Sequence, residues 1–307
     1  WSYYLRQDDD CAKMLLSLAR LKDVERIDAF LQDITATGTY AQNDNQAIVV
    51  ACMLLPSERA SKLLKDIVEH NAPHQFGACC NLLSQILTFF ERTGKLYDVL
   101  PAASRLIDCM PGASQDASRL GRRMLPMEVD AMVDLLSVLM TLDDDLAQHA
   151  IDQALARPVD FDIDSLLTPT ALRLGEVAAY CVSKAWLHLR DACLKHLAVR
   201  IAEPLEAPQD WCRANVLPCQ CADCRELATF LADPETRVWR FKAAESKRSH
   251  IGQMIRNTQS DIASTLEQKS RPYTLVCTKN QASYERRVKQ RQLDLHHQAL
   301  LEACKPA

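Results

Sequence analysis

The sequence predicts an all-α fold: an α-solenoid of about five stacked helix pairs, of the tetratricopeptide or HEAT kind, followed by a C-terminal helical module with one short strand or hairpin. Three observations carry this expectation. Glycine is scarce, at 7 of 307 residues, and aromatic residues make up only 6%. Alanine and leucine dominate an apolar fraction of 48%, a composition that favours helices over sheets. An apolar helix, a short polar turn and a second amphipathic helix then recur along residues 1–205. One such pair cannot bury its own apolar face, so the pairs are expected to stack.

The first pair is CAKMLLSLARL with DVERIDAFLQDI, and the second is NQAIVVACMLL with SERASKLLKDIVEH. CCNLLSQILTFFERTG with LYDVLPAASRLIDCM forms the third, EVDAMVDLLSVLMTL with DDLAQHAIDQALA the fourth, and GEVAAYCVSKAWLHL with RDACLKHLAVRIAEP the fifth. Turns are placed near Leu21, Leu55, Gly94, Leu142 and Leu189, and Asp23, Asn43, Ser57 and Asp143 are candidate caps for free helix amides. Two stretches, Pro111 to Pro126 and Arg157 to Pro169, read as connecting loops. The acidic runs Asp8-Asp9-Asp10 and Asp143-Asp144-Asp145 sit at helix starts, where carboxylates favour the macrodipole. Asp160, Asp162 and Asp164 lack the glycine and the terminal glutamate of a calcium loop.

Three prolines and a tryptophan between Glu203 and Pro218 mark a boundary, dividing a repeat domain (1–205) from a cysteine-containing basic module (206–307). Asp233-Pro234 reads as a helix start, with the helix running to about Gln268 and Phe241, Ala244, Ile251, Ile255, Ile262 and Leu266 along one face. Arg271-Pro272 stops it, YTLVCTK forms a strand, and a last helix runs from about Gln281 to Ala303.

The 13 cysteines are mostly scattered, and Cys52, Cys79, Cys80, Cys181 and Cys193 lie among leucines and alanines as small buried hydrophobes. Reduced thiols in an intracellular, cytoplasmic or nuclear setting are the expectation. Cys219, Cys221 and Cys224 are the exception, a C-x-C-x2-C cluster able to supply three thiolates to a structural zinc. The fourth ligand would be Cys212, His250 or Cys277. His250, beside the Ile251 stripe, reads first as a packed or solvated histidine. No other cofactor is expected, since the sequence holds no H-E-x-x-H, H-x-D, G-x-S-x-G, P-loop or G-x-G-x-x-G pattern.

Net charge is −4, yet residues 237–291 hold 13 Lys or Arg against 4 Asp or Glu. A basic end on an acidic body suggests an acidic partner or an internal docking face. Arg237, Arg240, Lys247, Arg248, Lys279, Arg286, Arg287 and Lys289 are the candidate contacts, with Trp239, Tyr273 and Tyr284 as stacking groups for nucleic acid. No run reaches the length of apolar sequence that a membrane span needs. The chain starts at Trp1, as a segment of something longer would.

Cys221, Asp223, Cys224, Leu227, Phe230, Leu231 and Asp233-Pro234, followed by Arg248 to His250 and by PYTLVCTK at Pro272 to Lys279, carry a resemblance. Residues 219–292 resemble the C-terminal region of large eukaryotic proteins, many fungal, whose N-terminal part is similar to prolyl-hydroxylase-type 2-oxoglutarate and Fe(II)-dependent oxygenases. The resemblance implies a hydroxylase parent, whose iron ligands belong to a part this chain does not include, so no catalytic residue transfers. The leading expectation is a non-catalytic scaffold that binds a protein partner or an attached catalytic domain, because repeat arrays present large rigid surfaces; an accessory part of such an oxygenase is one alternative to it. Nucleic-acid binding through residues 237–291 is the other.

Overall fold

Leucine and alanine at three- and four-residue spacing build most of this chain. The structure, a computed structural model, describes residues 10–37, 39–93, 98–111 and 127–304. Among them are twelve α-helices and one three-stranded antiparallel sheet. The chain divides into two compact units, Trp1–Leu197 with His297–Ala307, and Ala198–His296. The expected turn at Gly94, Asp8 and Asp9, and the loop after Pro111 lie outside the described residues.

In the first unit, α1 (Asp10–Leu21) and α2 (Val24–Thr37) form the expected first pair. Lys22 closes α1 in the left-handed region at φ 56°, with Asp23 N–H donating to the Leu18 carbonyl and Lys22 N–H to the Ala19 carbonyl. That is a Schellman closure in which lysine occupies the site glycine usually fills. Asp23 then caps α2 by accepting from Arg26 N–H at 3.1 Å. Helix α3 (Asn45–Cys52) leads into α4 (Ser57–Thr93), which contacts α2, α3, α5 (Leu100–Asp108) and α6 (Val129–Leu142).

The break expected between the second and third pairs falls within α4, where Gln75 leaves helical angles at φ −131° and ψ 44° just after Pro73, so two helical stretches meet at a kink. Proline removes one backbone donor and bends the helix, while buried Ala72 and Ala78 on either side keep it packed. A polar chain, buried at Tyr40 and Asn45, ties this helix to its neighbours. Tyr40 Oη donates to Asn45 Oδ1 at 2.7 Å, Asn45 Nδ2 to Asn81 Oδ1 at 3.0 Å, and Asn81 Nδ2 to Asp134 Oδ2 at 3.0 Å.

Asp143 caps α7 (Asp144–Leu155) through the amides of Asp145 and Leu146. Its neighbour Asp144 accepts from Ser183 Oγ and from the amides of Lys184 and Ala185, capping α9 (Lys184–Ala202). The acidic run thus serves two helix starts. The expected loop after Arg157 contains a π-helical turn, Ile163–Leu167, and the start of α8 (Thr168–Gly175), with Phe161 buried. The expected turn at Leu189 is absent. That leucine is buried within the unbroken α9, where no glycine or proline interrupts the ladder.

The second unit departs furthest from expectation. The single helix expected over residues 234–268 is three elements: β1 (Val238–Lys242), α11 (Glu245–Asn257) and β2 (Ile262–Glu267). β3 (Thr274–Lys279) inserts between the two outer strands, pairing Phe241 with Leu275 on one side and Leu275 with Leu266 on the other. Asp233-Pro234 does not open a helix, since Asp233 ends α10 (Ala222–Ala232). Gln259 closes α11 at φ 49° in a second Schellman geometry, Ser260 N–H donating to the Ile255 carbonyl. Phe230, Leu231, Phe241, Ile251, Ile255, Ile262, Leu275 and Cys277 share one core against the sheet. The last helix, α12 (Ala282–Ala303), lies where the sequence places it. Its Asp294, 1% exposed, takes both ends of the Arg200 guanidinium at 2.6 and 2.7 Å.

Lysine and glutamine in the left-handed region carry a conformational cost that glycine relieves, partly offset by glycine's freer unfolded chain. Lys22→Gly and Gln259→Gly should each raise unfolding free energy by roughly 0.5–1 kcal/mol in urea titrations. A lowered midpoint in both variants would contradict the two closures.

Candidate metal centre

Cys221 stands at the N-cap of α10 with extended backbone, φ −64° and ψ 165°. Its sulfur accepts from the Cys224 amide at 3.4 Å, as a serine or aspartate cap oxygen would. Cys224, one turn on, is buried on the face that also carries Leu227, Phe230 and Leu231. Cys219 is half-buried and packs against the same core from the segment before the helix. Opposite them, α11 presents His250 beside the buried Ile251.

The His250 Nε2 lies 3.2 Å from Cys224 Sγ and 3.6 Å from Cys221 Sγ. All four potential ligand atoms, three thiols and one imidazole, fall within 4.8 Å of one another. A tetrahedral zinc with bonds of about 2.0–2.3 Å separates its ligand atoms by roughly 3.3–3.8 Å, so the cluster needs only small adjustments to close on an ion. These residues could hold a metal ion. Nearby, Lys247 Nζ meets Asp223 Oδ1 at 3.2 Å, a second tie between α10 and α11.

The two thiols of the C-x-x-C pair differ electrostatically. The Cys224 amide at the helix start, assisted by neighbouring thiols and His250, lowers the exposed Cys221 thiol to about 7. Burial, followed by the adjacent thiols, raises Cys224 to about 12. Three thiolates this close repel one another, and a divalent cation removes that penalty.

Of the three candidate fourth ligands, the structure brings only His250 to the cluster. Cys277 is wholly buried in the core beneath the sheet, its thiol pushed up to about 12 by burial. Cys212 is exposed and belongs to no group of three or more potential ligands among the described residues. The same holds for His70 and His74, spaced four apart around Pro73. The scattered cysteines take their expected places: Cys52, Cys79, Cys80, Cys181 and Cys193 are buried.

The basic candidates separate into two kinds. Lys279 and Arg248 were expected to offer charge to a ligand, but both are buried. Lys279 Nζ donates to the Asp233 carbonyl at 2.5 Å and lies over the Phe230 ring, and burial lowers its ammonium below the ordinary lysine value. Arg248 donates to the Ala243 carbonyl at 3.2 Å and covers Tyr273. Arg240 is exposed but pairs with Glu267, and Arg237 sits 4.6 Å above the Trp211 ring. Arg286, Arg287 and Lys289 are exposed on α12. Trp239 stacks on Phe230 at 5.8 Å and tilts against Phe241, so its ring is engaged within the fold.

Comparison with protein-family models, with curated proteins and with solved structures finds no match to this chain. His250→Ala should weaken zinc binding by more than about 100-fold, the upper range for losing merely an outer-shell partner. Cys212→Ser should leave affinity unchanged. Competition titration with a zinc-responsive dye reads both, and equal losses in the two variants would reassign the fourth ligand.

Proposed function

We propose that this chain is a non-catalytic scaffold whose C-terminal module is held together by a structural zinc. The Cys219, Cys221, Cys224 and His250 set carries this reading. Four protein ligands fill a tetrahedral shell, leaving no open position for water or substrate, so the metal cross-links elements rather than activating a nucleophile. Here the cross-link joins the start of α10 to the middle of α11. The helical body suits a stacked array: α1 packs on α3, α2 on α4, α4 on α6 and α6 on α8. Such arrays present broad rigid surfaces, which fit a protein partner or an attached catalytic domain. The likeness of residues 219–292 to the C-terminal regions of prolyl-hydroxylase-type proteins supports the attached domain as that partner.

Protein purified without chelator should carry about one zinc per chain by elemental analysis, the amount one closed four-ligand site takes. Removing it should selectively raise amide exchange in α10, α11 and the sheet, since a structural metal's binding energy is folding energy. Well under half an equivalent of zinc, or exchange unaltered by chelation, would remove the reading.

Nucleic-acid binding remains a second reading because Arg286, Arg287 and Lys289 are exposed on one helix. Arg286 and Lys289 stand three residues apart and share a face. Under the scaffold reading, fluorescence anisotropy with short labelled RNA or DNA should show no binding even at low salt. Binding that weakens steeply with salt, and is lost when the three residues become glutamate, would put nucleic acid first.

A further inference from the structure

We infer that Cys221 and Cys224 form a peroxide-sensitive pair whose oxidation to a disulfide expels the zinc and unlocks the joint between α10 and α11. This inference rests on the zinc reading above and concerns regulation of the same site. Four observations support it. Cys221 is exposed at the helix N-cap whereas Cys224 is buried one turn inside, so a small oxidant meets Cys221 first. The pair has C-x-x-C spacing at a helix start, and its two sulfurs lie within 4.8 Å of each other in the cluster, so a modest side-chain rotation brings them to bonding distance. Both sulfurs also converge on one partner, Cys224 Sγ lying 3.2 Å and Cys221 Sγ 3.6 Å from His250 Nε2. Cys219 is half-buried against the same core and lies outside α10, so it is the less direct target of an oxidant than the exposed Cys221.

The chemistry balances with hydrogen peroxide as the oxidant. The Cys221 thiolate attacks one peroxide oxygen, the O–O bond breaks, and a sulfenic acid and hydroxide result. The Cys224 thiolate then attacks the Cys221 sulfur, an S–S bond forms, and a second hydroxide leaves. Two electrons have moved from two sulfurs to peroxide. Cys219 and His250 remain as ligands, and two ligands do not retain a structural zinc against solvent. A dithiol reductant returns two electrons and regenerates both thiols for metal rebinding.

The test uses the full chain, first assayed for zinc, then titrated with hydrogen peroxide in the presence of 4-(2-pyridylazo)resorcinol. About one equivalent of zinc should appear per equivalent of peroxide, from the single two-electron oxidation. Peptide mapping should show a Cys221–Cys224 linkage, and dithiothreitol with added zinc should restore the starting protein. Cys219→Ser keeps the pair and should still form the disulfide, a readout independent of metal loading. Cys212→Ser, outside the cluster, should respond as wild type does. A chain without zinc at the outset would sink the structural-zinc reading. Zinc that is present but retained under peroxide, or released with any other cysteine linkage, would overturn the present inference alone.

Discussion

Three sulfurs and one imidazole share a volume less than 5 Å across, and they do so because α10 and α11 press their starts and middles against a common apolar core. Two residues do most of this placement. Cys224 is as much a core side chain as Leu227 or Phe230, and Ile251 buries the turn of α11 that carries His250. The packing thus sets the geometry of the four potential ligands. The arrangement has an electrostatic cost, visible in the contrast between Cys221, lowered by helix amides, and Cys224, raised by burial. Protons or a cation must balance the cluster, and a divalent metal does so while also forming bonds.

The sheet explains why such a joint matters to the second unit. Its strands have 5, 6 and 6 residues, and both outer strands are edges. One face of β3 is buried through Leu275, Cys277 and Lys279. A small sheet of this kind is stable only when helices cover that face. Around it, cations act as internal fasteners. Arg213, 6% exposed, donates to the carbonyls of Asp210, Cys212 and Asn280, holding the incoming segment against the start of α12. Within residues 237–291, Lys279, Arg248, Arg240, Lys247 and Arg237 are likewise engaged with groups of the fold, which takes much of the basic surplus out of play for a partner. A charge count along the sequence therefore overstates the charge offered to a partner.

In the helical body the corresponding constraint is α4. Across its kink α4 touches four other helices, and the Tyr40, Asn45, Asn81 and Asp134 chain pairs polar groups at those contacts. Buried polar groups left unpaired are costly, so a fully connected chain favours one register of the helices over others.

Much of this was legible in the residues. Leucine–alanine periodicity determined α1, α2, α3, α6, α7 and α12, because each has an apolar stripe that any helical neighbour would bury. The C-x-C-x2-C spacing determined where a metal would sit, since three thiols that close together in the chain stay close in any fold. What the sequence could not decide was the identity of β1 and β2. Ile251, Ile255 and Ile262 satisfy a helical period, and neither glycine nor proline marks the break at Gln259. Only pairing with β3 turns Ile262–Glu267 into a strand, because a strand's preference comes from its cross-strand neighbours and not from its own residues. The same tertiary step selected His250 over Cys212 and Cys277. A ligand 26 residues away from Cys224 is chosen by which side chains the packed helices bring within bonding distance, and that information belongs to the folded chain.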